Sequence, residues 1–206
     1  MGRECVVCSP EIYNSAVFQK YIDTNCRHID KQWIYHMIYN KYSNDSCEKV
    51  YYECGDYILA KDIHPGQDIR YLVIFRDTRL KTIRDLRGSD VPLLRTIHHR
   101  VARFVRERHS EWPGFSIYFH YHPSVYQLHA HICMSEFTGD GTCSDSQGHR
   151  RLRRDTGASD NSMNRRHCMA HVIRNLETDS AWYRNALILT SINKYMRHLN
   201  LHTPLE

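Results

Sequence analysis

The sequence predicts an α+β fold in which helices pack on an antiparallel β-sheet. Three observations carry that expectation. Short β-branched and aromatic runs are separated by turn-forming residues. One long segment carries an apolar stripe at helical spacing. Two successive segments then alternate polar and apolar side chains with the period of a half-buried strand.

The elements follow in order. From Glu11 to about Asn40, apolar residues including Ile12, Val17, Tyr21, Ile34 and Ile38 recur at three- and four-residue steps, which predicts two short amphipathic helices. Residues 50–53, 57–60 and 70–75 read as strands, divided by Cys54-Gly55-Asp56 and His64-Pro65-Gly66. Ser89 or Asp90 can cap a helix with Pro92 in its first turn, and Leu94, Ile97, Val101, Phe104 and Val105 form its apolar stripe. Residues 115–121 and 126–134 are expected strands, joined through His122-Pro123-Ser124-Val125. Residues 138–162 are rich in Gly, Ser, Asp and Arg and bury too little apolar surface to order themselves, so a mobile loop is expected. A helix over 165–177, a strand over 186–192 and a closing helix over 195–201 complete the reading.

A chain of 206 residues, 41% hydrophobic, can bury one core, and one domain spanning 1–206 is expected. No run approaches the ~18 apolar residues of a membrane span. The start of the chain offers only Val6 and Val7 as an apolar run, which is no secretory signal, so an intracellular protein, cytoplasmic or nuclear, is expected. Eight scattered cysteines then read as reduced thiols. Cys5 and Cys8, with Cys26 and His28 downstream, have the ligand types of a zinc site, set against a frayed N-terminus as the plainer reading. The net charge of +5 permits anionic partners without requiring them. With 15 histidines, about one His-x-His pair arises by chance, so spacing alone decides nothing.

On the second of the paired strands, Gln127, His129, His131 and Cys133 share one face, while Leu128, Ala130 and Ile132 point into the core. His120 and His122 lie opposite Ile117 and Phe119 on the preceding strand, so two imidazole-bearing faces can meet. Three readings of the cluster stay open. The histidines can simply tolerate a half-exposed face, they can bind a metal, or a neutral imidazole can attack phosphorus.

Residues 120–132, HYHPSVYQLHAHI, resemble the histidine-triad motif of scavenger mRNA decapping enzymes. The resemblance extends through Ser9-Pro10-Glu11-Ile12-Tyr13, Gln32-Trp33-Ile34-Tyr35, Asp62-Ile63, Ile83-Arg84-Asp85-Leu86 and Val172-Ile173-Arg174-Asn175-Leu176-Glu177. It implies a histidine-triad fold and hydrolysis of 7-methylguanosine cap dinucleotides or short capped RNA. His129 would attack the phosphate attached to 7-methylguanosine and form a nucleotidyl-histidine, which water cleaves to 7-methylguanosine monophosphate. It further implies that His131 and His120 surround that phosphate, that Ser124 and Arg165 contact it, and that no metal or other cofactor takes part. Trp33 matches the residue that stacks on the cationic base. Asp62 and Ile63 match part of the cap pocket, with His64 where the family has lysine. Glu48 is a candidate for the guanine edge across a loose alignment.

Two departures qualify that implication. Gln127 stands where the family has its first triad histidine; glutamine can orient a neighbour but cannot exchange a proton near neutral pH. The family's N-terminal domain, which contributes to dimerisation and closes over the cap, has no counterpart in this sequence, which leaves a homodimer and selection by RNA length open. Two alternatives accompany the reading: hydrolysis of other dinucleoside polyphosphates or nucleoside phosphoramidates, and a cap-binding module with weak catalysis.

Overall fold

The computed structural model describes residues 4–39, 50–62, 70–137, 143–145 and 166–192. The chain opens with strand β1 (Glu4–Cys8), where fraying was expected. Three helices follow rather than two: α1 (Pro10–Asn14), α2 (Ala16–Arg27) and α3 (Gln32–Ile38). Ser15 divides the first pair. Its hydroxyl accepts from Phe18 N–H and caps α2, while its backbone N–H closes α1 on the Ile12 carbonyl.

Strands β2 (Val50–Glu53), β3 (Tyr57–Lys61) and β4 (Arg70–Phe75) form as expected, followed by helix α4 (Val91–Arg108). Helix α4 buries Leu94, Ile97, Val101 and Val105 on one side, each aliphatic contributing ~1.5–3 kcal/mol. Asp90 occupies the position before it without capping it; its carboxylate instead accepts from Arg87 N–H at 2.7 Å. Beyond α4 come β5 (Phe115–His120), β6 (His129–Phe137), β7 (Cys143–Asp145), β8 (Arg166–Cys168), α5 (Met169–Thr178), α6 (Trp182–Asn185) and β9 (Ile188–Ile192).

Six strands make one sheet in the order β2-β3-β4-β6-β5-β8, with every neighbouring pair antiparallel, and β7 pairs antiparallel with the end of β6. β1 pairs with β9 in a separate two-stranded ribbon. Further expectations need correction. β6 begins at His129 instead of residue 126: the Leu128 carbonyl still accepts from Phe75 N–H of β4, but its N–H turns to the Leu80 carbonyl. The expected helix from 165 starts at Met169, because residues 166–168 are drawn into the sheet against β5. Within the expected loop over 138–162, Cys143–Asp145 pair with β6, and the rest lies outside the described residues, as does the expected helix over 195–201.

The two sheet faces differ. Tyr57, Leu59, Val73, Phe75, Ala130 and Ile132 join the larger core with α4 and α5. Ile58, Ala60, Leu72 and Ile74 form a smaller cluster beneath Ile34, Met37 and Ile38 of α3. A buried guanidinium fastens the ribbon to the larger core: Arg84 donates to the Tyr121 hydroxyl at 2.6 Å, to the Tyr183 and Ala186 carbonyls at 3.0 Å, and to the Cys8 carbonyl at 2.5 Å. A charge that deep persists because every edge of it is hydrogen-bonded. Among the described residues no helix is long and apolar enough to cross a membrane.

Candidate active site

The candidate site lies on the α3 face of the sheet. In the register of β4 and β6, Leu72 stands opposite His131 and Ile74 opposite His129, so the two histidines continue the surface that α3 covers. On the other side of β6, Tyr118 of β5 stands opposite His131, and His120 shares the face of Tyr118. The rings form a chain: His129 lies 5.2 Å from His131, His131 lies 4.6 Å from His120, and Tyr118 stacks on His131 at 5.4 Å and 15°.

The geometry fixes a proton on one ring nitrogen of His129. Nδ1 of His129 is 2.6 Å from the backbone carbonyl oxygen of Gln127. A carbonyl only accepts, so Nδ1 carries a proton, and in the neutral form of the ring the lone pair sits on Nε2. His129 is only 6% exposed, so it cannot turn away from this arrangement without repacking. Gln127 is fully buried and its side-chain amide donates to the carbonyls of Phe75, at 2.8 Å, and Asp77, at 3.0 Å. Both amide hydrogens thus tie the approach to β6 to the end of β4.

Asp62, at the end of β3, sets its buried carboxylate 3.6 Å from Nδ1 of His131. Arg166 of β8 stands opposite His120, and its guanidinium lies over the Tyr118 ring at 4.8 Å. The site therefore combines an oriented imidazole, two further histidines and a cation on the same face. That set suits attack on phosphorus with stabilisation of the oxygens around it. Among the described residues no three histidine, cysteine or carboxylate groups converge as a metal site.

Trp33 sits in the first turn of α3, half-buried against the smaller cluster, and so shares the face of the histidines. Tyr35 anchors this helix by donating to the Tyr126 carbonyl at 3.3 Å; burial pushes its phenol upward and keeps it a donor. Ser124 is exposed in the connection before β6. Ile63, His64, Arg165 and Glu48 lie outside the described residues.

His122 does not join the cluster. β5 ends at His120, and the next turn buries the His122 ring 4.0 Å from Tyr121 and 5.0 Å from Phe18, against the larger core. Cys8 likewise serves packing, with its sulfur 3.1 Å from the Tyr121 hydroxyl, and Cys8, Cys26, Cys54, Cys133 and Cys168 are free thiols. Two members of the site escaped the sequence reading. Tyr118 alternates correctly with His120 but reads as an ordinary strand aromatic, and Arg166 reaches the site only through the pairing of β8 with β5.

Comparison with known proteins gives a consistent set of relatives. Residues 32–146 match the family described as scavenger mRNA decapping enzyme C-term binding. The m7GpppX diphosphatase of Homo sapiens is 26% identical over 162 residues, 74% of this chain and 42% of that protein. The m7GpppX diphosphatase of Ascaris suum is 31% identical over 133 residues, 60% of this chain and 42% of that protein. That of Schizosaccharomyces pombe is 29% identical over 151 residues, 68% and 48% respectively. The chain thus spans less than half the length of these relatives. Among solved structures, one titled Hnt3 overlays 52% of this chain and 62% of that chain at 17% identity and a TM-score of 0.35, too distant to bear on function.

Proposed function

The chain belongs to the scavenger mRNA decapping enzyme family, and on that premise we propose that it hydrolyses 7-methylguanosine cap dinucleotides or short capped RNA. The observation that carries this reading is the 2.6 Å contact of His129 Nδ1 with the Gln127 carbonyl, which supports Nε2 in the role of nucleophile. In the first step Nε2 attacks the phosphorus attached to 7-methylguanosine, and the bond from that phosphorus to the bridging oxygen breaks. The remainder of the substrate leaves as a nucleoside diphosphate or 5′-diphosphate RNA. Water then cleaves the phosphorus–nitrogen bond and releases 7-methylguanosine monophosphate, restoring His129.

His131 and His120 flank the reacting phosphate in this scheme, Asp62 holds His131 from behind, and Arg166 adds positive charge where the phosphate oxygens gather. Ser124 and Arg165 are assigned further phosphate contacts. Trp33, Asp62, Ile63 and His64 are assigned to the methylated base. Gln127 acts through position: its amide is spent on two carbonyls, so it shapes the strand entry that presents its own carbonyl to His129.

The test is incubation of the full chain with a methylated cap dinucleotide and identification of both products. Release of 7-methylguanosine monophosphate with a nucleoside diphosphate is expected. Cleavage of an unmethylated dinucleotide at an equal rate would favour a general dinucleoside polyphosphate hydrolase, and binding without any cleavage a cap-binding module.

A further inference from the structure

The helical layer on the other side of the sheet holds a second concavity. Between α4, the start of β5 and the start of α5 lies a cavity of about 740 Å³, within the ~300–1,000 Å³ usual for small-molecule sites. Its floor is apolar, with Val105 and Ile117 buried beneath it. Arg106, Arg174, His98 and His171 line it, and among the described residues no aspartate or glutamate does. Trp112 forms one wall, its ring stacked on His109 at 4.2 Å and 11°.

The basic surface continues beyond this cavity. A hollow of about 270 Å³ shares His98, Ala170 and Arg174 with it, and Glu177 there is already paired with Arg95. Arg106 and Arg174 are exposed and make no ion pair among the described residues. Two cations without a counter-charge, beside an aromatic wall and above an apolar floor, match an anion that carries a planar ring.

This place is separate from the histidine cluster. Ile117, in the floor of the cavity, belongs to the larger core, whereas Tyr118 beside it stands opposite His131 on the other face of the sheet. α4 and α5 also cover the sheet face opposite that of His129 and His131.

We infer that the cavity binds a phosphorylated nucleoside, free or within an RNA strand, with phosphate at Arg106 and Arg174 and the base against the Trp112 wall. The chemistry is shared by the two sources, and the hollow along α4 and α5 provides room for a neighbouring nucleotide. The site needs no hydrolysis by His129, so it stands or falls independently of the proposed activity.

The experiment titrates the full chain with adenosine monophosphate, with an uncapped oligoadenylate of about eight nucleotides, and with inorganic phosphate, following binding by calorimetry or anisotropy. At least one of the two nucleotide probes is expected to bind more tightly than phosphate; a preference for the oligonucleotide assigns an RNA strand, and equal affinity a free nucleotide. Arg106→Glu combined with Arg174→Glu is expected to weaken that binding by about tenfold or more and to reduce the salt slope by ~1.4 if both cations meet phosphates. Cap dinucleotide hydrolysis by this double variant is expected to remain unchanged. Trp112→Ala is expected to cost ~5- to 160-fold for the nucleotide probes, with phosphate unaffected. Three outcomes would overturn the inference: no binding of either nucleotide probe, equal binding of phosphate and nucleotide, or nucleotide binding that survives both arginine reversals.

Discussion

His129 is oriented by Gln127 through the backbone of the latter, not its side chain: imidazole Nδ1 and carbonyl oxygen are 2.6 Å apart, while the Gln127 amide points to Phe75 and Asp77. A glutamine at position 127 therefore leaves the orientation of His129, the proposed nucleophile, intact.

Gln127→His tests this directly. A neutral imidazole has one N–H where the amide has two, so one of the carbonyls of Phe75 and Asp77 loses its donor. Stability is expected to fall by ~1–3 kcal/mol in urea unfolding, and kcat is expected to stay at or below that of the native protein. A gain on the scale of general acid catalysis, ~10²-fold or more, would instead mean that the position contributes a proton.

Trp33→Ala is expected to reduce the preference for methylated over unmethylated cap dinucleotide. Stacking of a cationic base on indole is worth ~0.5–2 kcal/mol, so the ratio of the two Kd values falls several-fold. Equal losses for both ligands, in a folded variant, would assign Trp33 to packing of α3 alone.

Much of this arrangement was legible because a strand has a period of two. Alternation put His129 and His131 on one face and Ala130 and Ile132 on the other, and the core confirms the division. What lay hidden depended on pairing between distant segments. β1 is a five-residue run whose partner, β9, begins at Ile188, so nothing local distinguishes it from a loose terminus. Arg166 sits where a helix seemed to begin, and only the ladder to β5 brings it beside His120. The burial of His122 followed from the end of β5, a boundary the alternating pattern runs straight through.

Arg84→Met is expected to destabilise the protein by at least ~3 kcal/mol in denaturant unfolding. The substitution preserves bulk but strips donors from the carbonyls of Cys8, Tyr183 and Ala186 and from the Tyr121 hydroxyl, each buried acceptor costing ~1–3 kcal/mol when abandoned. A loss below about 1 kcal/mol would mean that water replaces the guanidinium.

His167 makes stability depend on pH. Burial, reinforced by the charge of Arg84, lowers its pKa from 6.5 to about 4. The unfolded chain therefore takes up a proton near pH 6.5 that the folded protein refuses until about 4. The contribution is complete above the unfolded value and is lost as pH falls through that window, on the order of 3 kcal/mol in all. Urea unfolding across this range should show the slope, and His167→Leu should flatten it; an unchanged slope in the variant would assign acid sensitivity elsewhere.

The central claim is that His129 Nε2 becomes bonded to phosphorus. The direct measurement is rapid acid-free quenching of the protein during turnover of a methylated cap dinucleotide, followed by peptide mass spectrometry, on the native protein and on His129→Asn. A 7-methylguanosine monophosphate adduct on the peptide containing His129 is expected. The variant is expected to bind the dinucleotide without adduct or turnover, because asparagine keeps a polar side chain but no nucleophilic nitrogen. Hydrolysis by His129→Asn at the native rate, or an adduct on another residue, would contradict the account.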